Sequence, residues 1–294
     1  MRLRPYAGVR DLLRMQAVLS QRFGQGGGWH PGDLAWSVRH GSHLEASTLC
    51  TLAEDGDGAL LGWAWLYRYG WMVLSPESMD AAVRAALLQA ALDTASRLLA
   101  CGDVLDRGLR IECAEDDTAL AELLRQNGFV RDAAHSGEMT TRSLDGLPAA
   151  ELPEGFRFSG VDDALVADRV EAHRAAFAPS ALEVSGYRRL RRTPPYRADL
   201  DRAVIAPDGR VAAGCIAWYD EASGWGLLEP VGTRPEFQRR GLGTALCLDA
   251  LHRLRDAGAH SAQIGCDSGG AGCATYHGIG FARVRVTHLY QREP

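Results

Sequence analysis

Residues 235–246 of this 294-residue chain read PEFQRRGLGTAL, with Arg239 and Arg240 set directly before Gly241-Leu242-Gly243 and an amphipathic run. The start of a helix carries partial positive charge and favours acidic side chains, so each arginine there costs about 0.3–1 kcal/mol unless an anion is present. Glycines at such a start leave backbone N–H groups open and let a bulky anion approach the main chain closely. Together these residues specify a phosphate cradle. A nucleotide-hydrolysing loop would need G-K-[ST], and the dinucleotide fingerprint would need G-x-G-x-x-G. The spacing Gln238-x-x-Gly241-x-Gly243 matches neither.

A cradle of this kind needs a strand before it and a helix after it, and the sequence supplies both. AVIA (203–206), a PDGR turn, VAAGCIAWY (211–219) and GLLEPV (226–231) read as three strands joined by hairpin-type turns. Beyond the loop, Leu246, Ala250, Leu251 and Leu254 make an apolar face and Asp249, His252, Arg253 and Asp256 a polar one, which predicts a helix that stops at Gly258. A strand, SAQIGC (261–266), and a short helix running into TYHGIGF (275–281) follow. The first half repeats this order. TLAE, a DGDG turn, ALLGWAWLY and WMVL occupy 51–74, a long helix follows Pro76, and LLRQNGF (123–129) closes the set. The stretch LDGLPAAELPEG, rich in proline and glycine, reads as a linker. The expected division is residues 1–143, a linker at 144–154, and residues 155–294.

A Q-x-x-G-x-G loop after a V-x-T strand end, then a long helix, a strand and Y-x-x-x-G-F, resembles the GCN5-related N-acetyltransferases, well over 203–290 and more loosely over 155–294. The resemblance implies an α/β (α+β) fold built as two tandem copies, each a mixed, mostly antiparallel central sheet flanked by helices. It implies acetyl-CoA as co-substrate and no metal. Val231, Gly232 and Thr233 would lie on a strand that splays from its neighbour and bonds the pantetheine arm. Gln238, Arg239, Arg240, Gly241, Leu242, Gly243 and Thr244 would hold the pyrophosphate. The implied chemistry is direct attack of an amine on a thioester. Tyr276 matches the family's tyrosine near the coenzyme sulfur and is the general-acid candidate, and Glu229 is placed to take the amine's proton through water. The family usually carries asparagine seven residues ahead of the tyrosine. Gly269 stands there in this chain, with Ser268 as the candidate substitute.

The first half lacks this equipment. Aligned without gaps from Pro76, PESMDAAVRAAL puts Asp80 opposite Arg239, Ala82 opposite Gly241 and Arg84 opposite Gly243, while Leu124 takes the place of Tyr276. The N-terminal copy therefore reads as the fold without the coenzyme motif.

Bulk properties narrow the partners. The net charge of −5 gives no general attraction to nucleic acid or anionic membrane. The longest apolar stretch, residues 59–67, falls well short of the roughly 20 needed to span a bilayer. Seven cysteines without a C-x-x-C pair argue against a disulfide framework or zinc site and for a reducing cytosol, and the nine histidines show no ligand spacing. All basic residues are arginine, and with much alanine, glycine and leucine this points to a GC-rich bacterial genome. The expectation is a cytoplasmic monomer or homodimer acting on a small-molecule or peptide amine. GQGGGWH (24–30) reads as a mobile loop with no clear helix after it, and YRRLRRTPPYR (187–197) as a solvated basic helix with a Pro-Pro turn near the acceptor entrance. Trp63, Trp65, Trp218 and Trp225 read as core or sheet-face residues. Two other readings stay open: a synthase similar to mycothiol synthase that acetylates a cysteinyl amine, and a non-catalytic acyl-CoA-binding regulator.

Overall fold

The computed structural model describes residues 1–24, 26, 28–39, 46–67, 70–76, 79–101 and 108–293. In chain order the first half forms β1 (Arg2–Pro5), α1 (Val9–Arg22), α2 (Pro31–Arg39), α3 (Ala46–Leu49), β2 (Cys50–Glu54), β3 (Leu60–Tyr67), β4 (Trp71–Ser75), α4 (Ala81–Ala100), β5 (Leu109–Ala114), α5 (Thr118–Gln126) and β6 (Val130–Ser143). The second half forms β7 (Arg157–Gly160), α6 (Val166–Ala176), α7 (Val184–Leu190), β8 (Asp201–Ile205), β9 (Val211–Asp220), β10 (Trp225–Thr233), α8 (Leu242–Asp256), β11 (Ser261–Asp267), α9 (Ala271–Gly278) and β12 (Ala282–Arg292).

Two compact units result. One comprises Met1–Arg22, Ser42–Met139 and Arg285–Pro294, the other Phe23–Gly41 and Thr140–Val284. Each unit draws segments from both halves of the chain. In the N-terminal unit the strand order is β1-β2-β3-β4-β5-β12, antiparallel except for the parallel β4/β5 pair. In the C-terminal unit the order is β7-β8-β9-β10-β11-β6, with β7 to β10 antiparallel and β10/β11 parallel. The repeat seen in sequence is thus one mixed, mostly antiparallel sheet formed twice. Its last position is filled from the other half: β12 runs along β5, and the end of β6 lies on β11, where Thr140 Oγ1 donates to the Ile264 carbonyl at 2.9 Å.

Helical periodicity sets the packing. Leu246, Ala250, Leu251 and Leu254 of α8 are fully buried against Val204, Ala213 and Leu228, each leucine worth about 1.5–3 kcal/mol of transfer free energy before entropy is counted. Asp249, on the face expected to be solvated, is buried instead and takes Arg202 as its ion-pair partner at 2.6 Å. The helix stops at Gly258, whose φ of +108° lets Ala259 N–H reach back to the Leu254 carbonyl. All four tryptophans singled out from the sequence are buried.

Three sequence expectations change. A helix does follow GQGGGWH: α2 begins at Pro31, and it belongs to the C-terminal unit (residues 25 and 27 lie outside the described ones). A disulfide is present after all, joining Cys266 at the end of β11 to Cys273 in α9, and the argument from scattered cysteines to a reducing compartment falls with it. The basic segment at 187–197 is only partly solvated. Tyr187 and Tyr196 fold inward, both hydroxyls donating to Asp201 Oδ2, at 2.6 and 2.8 Å. Among the described residues no helix is long and apolar enough to cross a membrane.

Candidate active site

Strand β10 keeps its parallel pairing with β11 only from Trp225↔Ser261 to Leu227↔Gln263, yet continues along β9 as far as Thr233↔Ala213. The backbone from Leu228 to Thr233 is therefore outside the ladder on its β11 side, which is the splay the family resemblance implies. The register against β9 shifts between Leu228 and Val231, where Pro230 has no N–H to give. The bulge fixes which side chain faces which layer. Leu228 and Val231 pack with the α8 cluster, whereas Gly232 lies under α6, where a Cβ would fall 2.6 Å from the Phe177 ring.

Beyond Thr233 the chain turns through Pro235–Phe237 into α8. The cap residue is Gly241, at φ +77°, and it offers no side-chain cap. The first amides of the helix, those of Leu242, Gly243 and Thr244, have no partner within it. Arg239 has φ +62°, the only non-glycine residue in the left-handed region among the described residues. That conformation costs roughly 1–2 kcal/mol, and such strain concentrates where function requires it. Arg239 and Arg240 are exposed, and Gln238 ties the loop to the strand by donating to the Thr233 carbonyl at 3.2 Å. At Gly243 a Cβ would meet only Thr233 Oγ1, at an ordinary 3.6 Å. Packing does not demand glycine there; open space in front of the amides does.

The N-terminal unit closes the same place. Helix α4 is capped by Asp80, whose Oδ1 accepts the Ala82 N–H at 2.8 Å. Matching the caps puts Asp80 opposite Gly241, Ala82 opposite Gly243 and Arg84 opposite Ala245, two residues away from the ungapped alignment. Arg84 therefore does not fill the anion's space. It is buried and bonds Asp117 at 2.8 Å, and the obstructing group is the carboxylate of Asp80.

Tyr276 stands on α9, one turn beyond the disulfide. Burial pushes its hydroxyl well above the usual phenol range, with smaller contributions from Cys247, Glu229 and Cys215, so it stays protonated. Glu229 is pushed up to about 8, first by burial and then by the charge of Asp33. Asp33, in the first turn of α2, is pushed up to about 7 by burial, although its Oδ2 accepts the His30 N–H at 2.8 Å. His30 closes the reciprocal half of a capping box: its Nδ1 accepts from Gly32 N–H at 3.0 Å. Its Nε2 therefore carries the proton and faces the Trp225 carbonyl at 3.2 Å, and burial keeps the ring neutral, near 4. Ser268 lies half-buried in the turn between β11 and α9. Gly269 has φ +73°, a conformation that glycine and asparagine share, so the departure from asparagine keeps the backbone and removes only the amide side chain.

Glu229 and Tyr276 thus come within electrostatic reach of each other, with the β10 backbone of Val231–Thr233 leading toward the loop. Asp33 is the residue sequence reading missed. The H-P-G-D spacing announces a helix start by its capping box, but nothing local ties it to β10.

Residues 167–281 match the family model of the acetyltransferase (GNAT) family. A GCN5-related N-acetyltransferase from Sphaerobacter thermophilus superposes with a TM-score of 0.69 at 17% identity, covering 99% of this chain and 95% of that one. A tandem GNAT protein from the clavulanic acid biosynthesis pathway gives 0.67 at 15%, over 99% and 98%. A putative acetyltransferase from Pyrococcus horikoshii gives 0.60 at 14%, over 100% and 89%. No curated protein matches the sequence significantly. Residues 167–281 thus match the GNAT acetyltransferase family model, and the chain as a whole has the fold of these tandem structures.

Proposed function

We propose that this protein is an acetyl-CoA-dependent N-acetyltransferase whose C-terminal unit carries the reaction and whose N-terminal unit binds no coenzyme. The observation that carries this reading is the contrast between two helix starts: α8, uncapped, glycine-led and preceded by a left-handed arginine, and α4, sealed by Asp80. Acetyl-CoA supplies the activated acyl group as a thioester. The amides of Leu242, Gly243 and Thr244, with Arg239 and Arg240, hold its pyrophosphate, and the free edge of Val231, Gly232 and Thr233 holds the pantetheine arm. Ser268, in the turn after β11, is the candidate to contact the coenzyme in place of the family's asparagine. Glu229 accepts a proton from the attacking amine, directly or through water, and Tyr276 gives one to the departing sulfur. No metal enters this scheme. The acceptor is a small-molecule or peptide amine.

The test is a screen of amines with acetyl-CoA, reading thiol release and, by mass spectrometry, a product 42 Da heavier, as one acetyl group for one hydrogen requires. Stoichiometric thiol and acetylated amine are expected. Tight acetyl-CoA binding without turnover on any amine would make the protein a binding module instead.

A further inference from the structure

We propose that Asp33 is a specificity-determining residue of this site and that the acceptor is an amine bearing a second positive charge, of the alkyl diamine class, held between Asp33 and Glu229. The proposal rests on the reading of Glu229 as the base.

One indole ties together the two segments that carry these carboxylates. Gly32 sits so close to Trp218 that a Cβ would fall 2.4 Å from the ring, and Trp218 Nε1–H donates to the Glu229 carbonyl at 2.6 Å. The first turn of α2 and the bulge of β10 are thereby held on the same layer of the C-terminal unit. Neither carboxylate has an ion-pair partner among the described residues. Asp33 accepts one backbone N–H, and the side chain of Glu229 has no hydrogen bond. The groups that interact with Glu229 are Asp33 from α2, Cys215 from β9 and Tyr276 from α9, none of them a cation, and His30 beside Asp33 is neutral. The arginine of this layer, Arg169 on α6, is directed at Asp201, 4.0 Å away.

Aromatic rings line the same layer. Phe177, 41% exposed, lies over Gly232 and is 4.6 Å from the His173 ring, which meets Trp36 at 5.5 Å. Trp36 follows Asp33 by three residues, on the same face of α2. Aromatic faces and unpaired carboxylates both favour cations. A free amino acid would bring a third carboxylate to this layer, and a dication would neutralise the two already there. In the reaction one ammonium gives its proton to Glu229. The freed nitrogen forms the C–N bond as the C–S bond breaks, the sulfur takes the Tyr276 proton, and the second proton shed by the nitrogen as it becomes an amide restores the Tyr276 hydroxyl through solvent. The second ammonium remains on Asp33.

The experiment measures 1,4-diaminobutane, butylamine and β-alanine as acceptors (kcat/KM) and as ligands of the enzyme–CoA complex by calorimetry, in wild type and Asp33→Asn. Wild type should prefer the diamine over butylamine by about tenfold or more, with β-alanine poorest, and Asp33→Asn should reduce the diamine-to-butylamine ratio to within about threefold of unity. Should Asp33→Asn fold poorly, wild type still decides: diamine binding near neutral pH must release more protons than butylamine binding, read from enthalpies in two buffers. An unchanged ratio in a folded Asp33→Asn, a wild-type preference for butylamine or β-alanine, or equal proton release overturns the proposal. If wild type acetylates no amine but still binds the diamine selectively, the reading of the chemistry fails and the specificity set by Asp33 stands. If Glu229→Gln keeps full activity, the base assignment fails on its own.

Discussion

The carbonyl of Tyr276 accepts the N–H of Phe281 at 3.0 Å, and in the N-terminal unit the carbonyl of Leu124 accepts the N–H of Phe129 at 3.0 Å. Gly280 and Gly128, at φ +91° and +81°, close the two helices in the same way. The two residues hold one structural place and differ in one respect that chemistry can use, a phenol against an alkyl chain. Tyr276→Phe keeps the volume and removes the proton donor. It should lower kcat by about tenfold to a hundredfold while leaving acetyl-CoA affinity nearly unchanged, because the hydroxyl matters as charge develops on sulfur. Steady-state kinetics beside calorimetry checks this. A kcat within about twofold of wild type, with chemistry rate-limiting, removes Tyr276 from the mechanism.

Glu229 must be ionised to accept a proton, and its pKa is raised to about 8. The rate at low acceptor concentration should therefore climb with pH through a limb near 8, shared with Asp33 as one coupled titration. Glu229→Gln should remove that limb and lower kcat/KM by about 10²–10⁴. Stability runs the other way. A carboxyl whose folded pKa exceeds its unfolded value binds its proton more tightly when folded, so its contribution is full below about 4.3 and is lost as pH rises toward 8. Without ligand, Glu229→Gln should thus melt higher than wild type at pH 8 and the two should converge near pH 4. Thermal melts across that range would contradict the assignment if the two curves run parallel.

The Cys266–Cys273 disulfide spans the turn that holds Ser268 and leads into the helix of Tyr276. Closing so short a loop is worth about 2–3 kcal/mol in the chain-entropy picture. Cys266→Ser, or reductant on wild type, should lower the melting temperature and kcat together, and reductant should do nothing further to the variant. Of the seven cysteines five are free, so denatured, unreduced protein should show five thiols. Seven would contradict the pairing.

What could be read from the sequence was local. The apolar runs of β8 to β10, the apolar face of α8 and the glycine stops at 128, 258 and 280 each depend on neighbours within a few residues, and each formed as the pattern requires. The glycine-led helix start was legible for the same reason: Gly241, Gly243 and the arginines lie within one turn of each other. The helix register of the N-terminal copy was not, because an ungapped alignment cannot see that the cap of α4 follows Pro76 two residues sooner than the cap of α8 follows Pro235. Asp33 and the disulfide were also out of reach. A capping box says where a helix begins and not which strand it packs on, and two cysteines seven apart carry no pairing signal until a turn folds them together.

The central claim is that one of two similar folds binds the coenzyme, and acetyl-CoA titration by calorimetry, on wild type and on Gly243→Arg, tests it most directly. A Cβ at Gly243 meets only ordinary contact, and arginine suits a helix interior better than glycine, so the variant should fold. One site per chain is expected in wild type and none in a folded Gly243→Arg, whose side chain would stand in front of the helix amides. Two equivalent sites in wild type, or unchanged affinity in the variant, would contradict the account.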